Sequence, residues 1–147
     1  MTSAKVSINN VQIATCRVGS IKFDDLVGPR RYKDMAYWRQ RGMFVARVIT
    51  GRSYPQIGRA FGDRDHTTAL FATRKMAVRC MFNEDAAREV TLIARYAQEL
   101  ADEQEAVRLA RLAKMAAAQA NPAKVNPDAL RSESELVAWN GIGGVAA

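Results

Sequence analysis

Apolar residues recur along this chain every three or four positions and almost nowhere every second position, so the pattern is helical. A first short helix is expected from Asn9, which can cap it, with Val11, Thr15 and Val18 on one stripe and Gly19 at its end. The alternation of Val6, Ile8, Val11 and Ile13 around Asn9-Asn10 also fits a hairpin; the helix is the preferred reading. Phe23 and Leu26 anchor a short turn of helix, broken by Gly28-Pro29. A longer helix is predicted from about Lys33 to Thr50, with Met35, Trp38, Gly42, Val45, Ala46 and Ile49 as its buried stripe. Gly42 costs about 1 kcal/mol there relative to Ala, which points to another helix crossing closely.

The next segment carries the sharpest local signals. Ser53 and Gln56 form a capping box, and Pro55 fits a first helical turn. Ile57, Ala60 and Phe61 point inward, and Gly62 permits a left-handed turn. Asp63 or Asp65 starts the following helix, with Leu70, Thr73, Met76 and Ala77 on its inner face. A last long helix runs from the cap at Asn83 to about Gln119, with Val90, Ile93, Ala97, Leu100, Gln104 and Val107 on one stripe. The apolar set then moves to Leu109, Leu112 and Met115; three full heptads are not sustained, which argues against a strict coiled coil. Asn121-Pro122 ends the helix and leaves a flexible tail, with one short helix from Asn126-Pro127 to Trp139.

Helix, glycine turn, helix is the plan of a helix-turn-helix, whose second helix enters the major groove of DNA with its N-terminal residues nearest the bases. Here those residues are Asp65, His66, Thr67 and Thr68. Asp65 can accept from a cytosine amino group, His66 can donate to a purine edge, and the Thr methyls match the thymine methyl. Arg64, Arg74 and Lys75 suit phosphates, which position a protein without specifying sequence. Arg30, Arg31 and Lys33 precede the unit as minor-groove arms do. The blander reading makes Asp65 a cap and His66 a surface residue.

Charge adds weight to the first reading. The net charge of +7 in 147 residues is concentrated: residues 29–82 carry +9, residues 1–28 carry +1, and residues 83–147 carry −3. Such a block suits a phosphate backbone through counterion release, although a solvated basic face or anionic lipid would also accept it. No run of apolar residues is long enough to span a membrane, and the N-terminus has no secretion pattern. Cys16 and Cys80 form neither a metal nor a redox spacing, so no metal is expected and a reduced cytoplasmic setting fits. One His and no paired nucleophile and base make an enzyme the least supported class, with no catalytic residue to name.

The run from Ser53 to Thr68, SYPQIGRAFGDRDHTT, resembles the signature of domain IV of DnaA, the bacterial replication initiator, close to SLPEIGxAFGGRDHTT. Ile21 to Leu26 followed by Arg30-Arg31 resembles that family's connector helix and basic loop, and Ile8 to Val11 the segment leading to it. Arg74-Lys75-Met76 resembles the end of its recognition helix, so the similarity covers about residues 6 to 99.

The resemblance implies an all-α helical bundle around a Trp-repressor-like helix-turn-helix, to which the apolar pattern adds a long C-terminal helix and a tail. Residues 1–29 would be connector helices, 30–99 the DNA-binding domain, 100–120 a helix extension and 121–147 a flexible tail. It implies base reading by Asp65, His66, Thr67 and Thr68, and backbone contact by Tyr54 and Pro55. Arg31 would enter the minor groove, Arg39 and Gln40 would lie against DNA, and Lys75 near phosphate. The chain departs from the pattern at Tyr37-Trp38 for Arg-Pro, at Asp63 for glycine and at Phe71 for histidine. No G-x-x-x-x-G-K-[ST] loop is present to cradle ATP, so no cofactor is expected.

The expected partner is double-stranded DNA, with RNA polymerase or another regulatory protein contacting residues 100–147, and no membrane. The domain is also similar to that of gene transfer agent activators, which points to promoters and a nucleoid-associated, cytoplasmic protein. A replication factor at DnaA-box-like sites is the alternative; an interaction scaffold that has lost DNA binding is a third.

Overall fold

The computed structural model describes residues 3–120, and the tail expected after residue 120, with its short helix, lies outside the described residues. Among the described residues six helices follow in order: α1 (Ile8–Gly19), α2 (Phe23–Val27), α3 (Lys33–Thr50), α4 (Tyr54–Ala60), α5 (His66–Phe82) and α6 (Glu84–Ala120). There is no strand among the described residues, which settles the choice at Asn9-Asn10 for helix. The fold is the all-α bundle that the apolar periodicity predicts.

The N-terminus of α1 differs from expectation. Ser7, not Asn9, is the cap: its hydroxyl accepts from the Asn10 amide at 3.1 Å, and the Asn10 carboxamide accepts from the Ser7 amide at 3.0 Å. This reciprocal box satisfies two orphan donors at once, which a lone Asn9 cap would not. In α2, Leu26 is fully buried while Phe23 is exposed, so Leu26 alone anchors that turn. The Ser53–Gln56 box of α4 forms as expected, with both reciprocal bonds made.

α3 lies at the centre, in contact with α1, α2, α4 and α5. Its buried face is broader than the apolar stripe and includes Arg39, Arg41 and Met43. Gly42 does mark a close approach: a Cβ there would lie 2.7 Å from the Phe61 ring and 2.9 Å from the Thr15 hydroxyl. The core gathers Val11 and Ala14, Leu26, Met43 and Ala46, Ile57, Phe61, Met76 and Ile93 from all six helices and the turn. Each such large side chain contributes roughly 1.5–3 kcal/mol by leaving water.

α5 keeps Met76 of its predicted inner face, but the rest of the buried stripe is shifted round the helix. Ala69, Ala72 and Met76 are buried; Leu70 and Thr73 are half-buried, and Ala77 is exposed. Alanines face the core because α5 packs on both α3 and α4, where a small side chain lets the backbones approach.

The chain divides into two units, Met1–Gln104 and Glu105–Ala147, with the boundary inside α6. In the first unit α6 buries Ala86, Val90, Ile93, Ala97 and Ala101, and the Asn83 side chain caps it by accepting from Ala86 at 2.9 Å. Leu100 is half-buried and Gln104 is exposed, although its carboxamide accepts from buried Asn10 at 3.0 Å. In the second unit Val107, Leu109, Leu112 and Met115 are exposed.

A polar brace ties α3 to α6, and the apolar pattern gave no sign of it. Glu89 accepts from Arg41 Nε at 2.8 Å and from the Tyr37 hydroxyl at 2.7 Å. The Arg41 guanidinium lies over the Tyr37 ring, 3.4 Å from its centroid, and its Nη1 reaches Met76 Sδ of α5 at 3.7 Å. Burial and the bond to Glu89 push the Tyr37 phenol above its ordinary value.

Candidate nucleic-acid interface

The turn between α4 and α5 is built to set the angle of α5. The Arg64 amide folds back to donate to the Gly58 carbonyl at 2.8 Å. Gly58 must lack a side chain for this, because a Cβ would meet the Arg64 carbonyl oxygen at 2.4 Å. Gly62 has φ +102°, which glycine adopts readily. Asp63 follows in the left-handed region at φ +54°, so the family's second glycine is replaced at a position where a Cβ is strained.

Asp65 then caps α5. Its carboxylate accepts from the Thr67 amide and hydroxyl on one oxygen, while the other oxygen lies 3.1 Å from His66 Nδ1. The Thr67 hydroxyl bond, helped by the neighbouring backbone and His66, holds the Asp65 carboxyl below its ordinary value. One carboxylate thus fixes the helix start and both residues after it. His66, Thr67 and Thr68 all remain exposed beyond that cap. The His66 side chain, beside that carboxylate, stays open to solvent.

Beside this helix lies an open groove of about 800 Å³. It collects Arg31, Arg39, Gln40, Arg64, Asp65, Thr68 and Lys75 from four separate stretches of sequence. Its charges repel one another. Burial and then nearby Arg64 lower the Arg39 guanidinium; burial and then nearby Arg31 lower Arg64. Bringing cations together in this way stores a field that an anion would relieve. Asp63 and Asp65 on the same wall offset part of it.

Two expected phosphate or DNA contacts have another occupation. Arg39 is 3 % exposed; its Nε donates to the Leu26 carbonyl at 2.6 Å and its Nη2 to Asp25 and Gly28 at 2.8 and 3.0 Å. Arg64 Nη2 donates to the same Gly28 carbonyl at 3.1 Å, and its Nη1 to Phe61 and Gly62. Arg39 therefore clips the C-terminal carbonyls of α2, which a helix end leaves unpaired, and shares the carbonyl of the cap residue Gly28 with Arg64. Both guanidiniums position the groove wall and reach a ligand less readily than their charge suggested.

The other expected residues are more dispersed. Arg30, Lys33 and Arg74 are exposed outside the groove, as is Pro55, and Arg30 lies over the Tyr32 ring at 5.9 Å. Tyr54 is half-buried, with Arg47 4.5 Å from its ring centroid. Asp63 and Phe71 line the groove but were outside the expected set. For Phe71 the signal was present: it sits three and four residues after Thr68 and Thr67, on the same helical face.

A short helix, a turn and a second helix with exposed polar residues at its start, beside a basic groove, define a helix-turn-helix protein. Residues 8–76, just under half of the chain, match the family model described as bacterial dnaA protein helix-turn-helix. Relatives include proteins named chromosomal replication initiator protein DnaA. That of Lactococcus lactis subsp. cremoris is 36% identical over 92 residues, covering 63% of this chain and 20% of the relative. That of Bartonella quintana is 38% identical over 93 residues, covering 63% and 19%. That of Cereibacter sphaeroides is 36% identical over 94 residues, covering 64% and 21%. The chain thus spans about a fifth of the length of these relatives. No helix among the described residues is long and apolar enough to cross a membrane.

Proposed function

We propose that this chain is a sequence-specific regulator that binds double-stranded DNA and acts at promoters. The observation that carries the reading is the convergence of Arg31, Gln40, Thr68 and Lys75 on one groove beside an α5 whose first residues are held by a single carboxylate. Phosphates would fill the basic walls, while His66, Thr67 and Thr68 meet base edges. Arg31 and the adjoining Arg30 and Lys33 would follow the backbone or the neighbouring minor groove. Residues 100–147 would contact RNA polymerase or another regulatory protein, and the protein would work on the nucleoid in the cytoplasm. Regulation of this kind needs occupancy and recruitment, with no chemical step catalysed by the chain.

A second reading is supported by the relatives' names: a replication factor at DnaA-box-like sites. Genome-wide occupancy separates the two, with promoter peaks supporting the first and origin peaks the second. His66→Ala should cost roughly 1–3 kcal/mol of binding and relax one base pair. Arg31→Ala should lower the salt slope by about one. Equal, salt-insensitive binding to random and DnaA-box duplexes would rule out both readings.

A further inference from the structure

Phe71 is an anomaly in the basic groove. It is a large apolar side chain, 67 % exposed, on the wall shared by Arg31, Gln40, Thr68 and Lys75. Water is a poor solvent for a phenyl ring, and a ring cannot hold a phosphate as the surrounding cations can. Its place on the helix is specific. α5 begins at His66, and Phe71 lies one turn inward from Thr67 and Thr68 on the same face. Four residues advance a helix by about 6 Å, half the roughly 12 Å width of a major groove. A residue there still reaches base edges if Thr67 and Thr68 do. Flanking cations would seat the backbone to either side and leave the ring over the bases. The one apolar feature that a base edge offers in that groove is the thymine 5-methyl group.

We propose that Phe71 is a specificity-determining residue that packs its ring on the 5-methyl group of one thymine in the major groove. The inference rests on the DNA-binding reading above and adds a base preference to it. An apolar protein partner for this ring is disfavoured by its surroundings, since docking one would desolvate Arg31 and Lys75.

The test begins by selecting binding sites for the full chain from a randomised duplex library. Each thymine of the selected site is then replaced singly by deoxyuridine, which deletes the methyl group and keeps the pairing. Wild type should lose about fourfold in affinity at one such position, the worth of one buried methyl group. Phe71→Ala should lose the sensitivity at that position, and Phe71→Leu, which keeps an apolar surface, should retain part of it. Thr68→Ser, assayed in parallel, marks any methyl read by Thr68. Unchanged melting of both Phe71 variants confirms that the fold is intact, as an exposed side chain requires. If Phe71→Ala and Phe71→Leu show the same pattern of thymine sensitivity as wild type, the inference is overturned while DNA reading survives. If selection enriches no sequence at all, the underlying reading fails, and this one with it.

Discussion

Removing the carboxylate of Glu89 tests how the first unit is held together. The Arg41 side chain is 3 % exposed and that of Glu89 24 % exposed, so the pair is largely inside. Glu89→Ala leaves a buried guanidinium with no counter-charge, and the Tyr37 hydroxyl loses its acceptor. Breaking a buried pair by deleting one partner costs about 3–5 kcal/mol. The part of Glu89 that remains in water favours the lower figure, about 3 kcal/mol. For a unit of this size that lowers the melting temperature by about 12 °C at roughly 4 °C per kcal/mol. Glu89→Gln keeps an acceptor for both donors and should lose less. Replacing the pair with Arg41→Met and Glu89→Leu together should recover most of the loss, because two apolar groups need no compensation. Urea and thermal unfolding followed by circular dichroism measure all three. Because Arg41 also touches Met76 of α5, DNA affinity should fall with stability. A Glu89→Ala cost under about 1 kcal/mol would show that solvent screens the pair and would refute the brace.

Asp63→Gly should remove a left-handed Cβ costing about 1–2 kcal/mol, offset by about 0.5–1 kcal/mol of glycine entropy. A small rise in urea midpoint and tighter duplex binding are expected; weaker binding would show that the Asp63 carboxylate helps the ligand. The Asp65 carboxyl is depressed in the fold, so its stabilisation is fully present above the ordinary aspartate range and is lost as pH falls through the lowered value. The stability gap between wild type and Asp65→Ala should therefore be constant at neutral pH and shrink only in strong acid; a gap that closes near pH 5 would contradict the cap. Burial raises the Cys16 thiol to about 11 and also raises Cys80. At pH 8 about a thousandth of Cys16 is thiolate, so thiolate-selective disulfide reagents should label it far more slowly than free cysteine; rapid labelling would show an open site.

Helix positions were legible because apolar spacing and capping residues act over a few neighbouring residues. Lys33–Thr50 and the Ser53–Gln56 box could be read from the chain, and so could the turn at Gly62. The same locality explains the errors. Ser7 displaced Asn9 as a cap because the box needs Asn10 as its partner, and a list of good caps does not rank such pairs. On α5 Met76 faces inward as predicted, but Ala69 and Ala72 complete the buried stripe, because that stripe is set by what α3 and α4 present to it.

The exposed polar start of α5 follows from sixteen consecutive residues, Ser53 to Thr68, since caps, turn glycines and helix starts are short-range chemistry. What the cations do was decided in three dimensions. Arg39 and Arg64 have the composition of phosphate binders, yet the end of α2 and its cap residue Gly28 claim them, because carbonyls there lie within reach of their guanidiniums. Arg41 looks like one more surface charge in the sequence and becomes an interior brace only because Glu89, 48 residues away, folds against it. Charge type is a property of a residue; whether that charge meets solvent, a carbonyl or a carboxylate depends on distance, and only packing fixes distance.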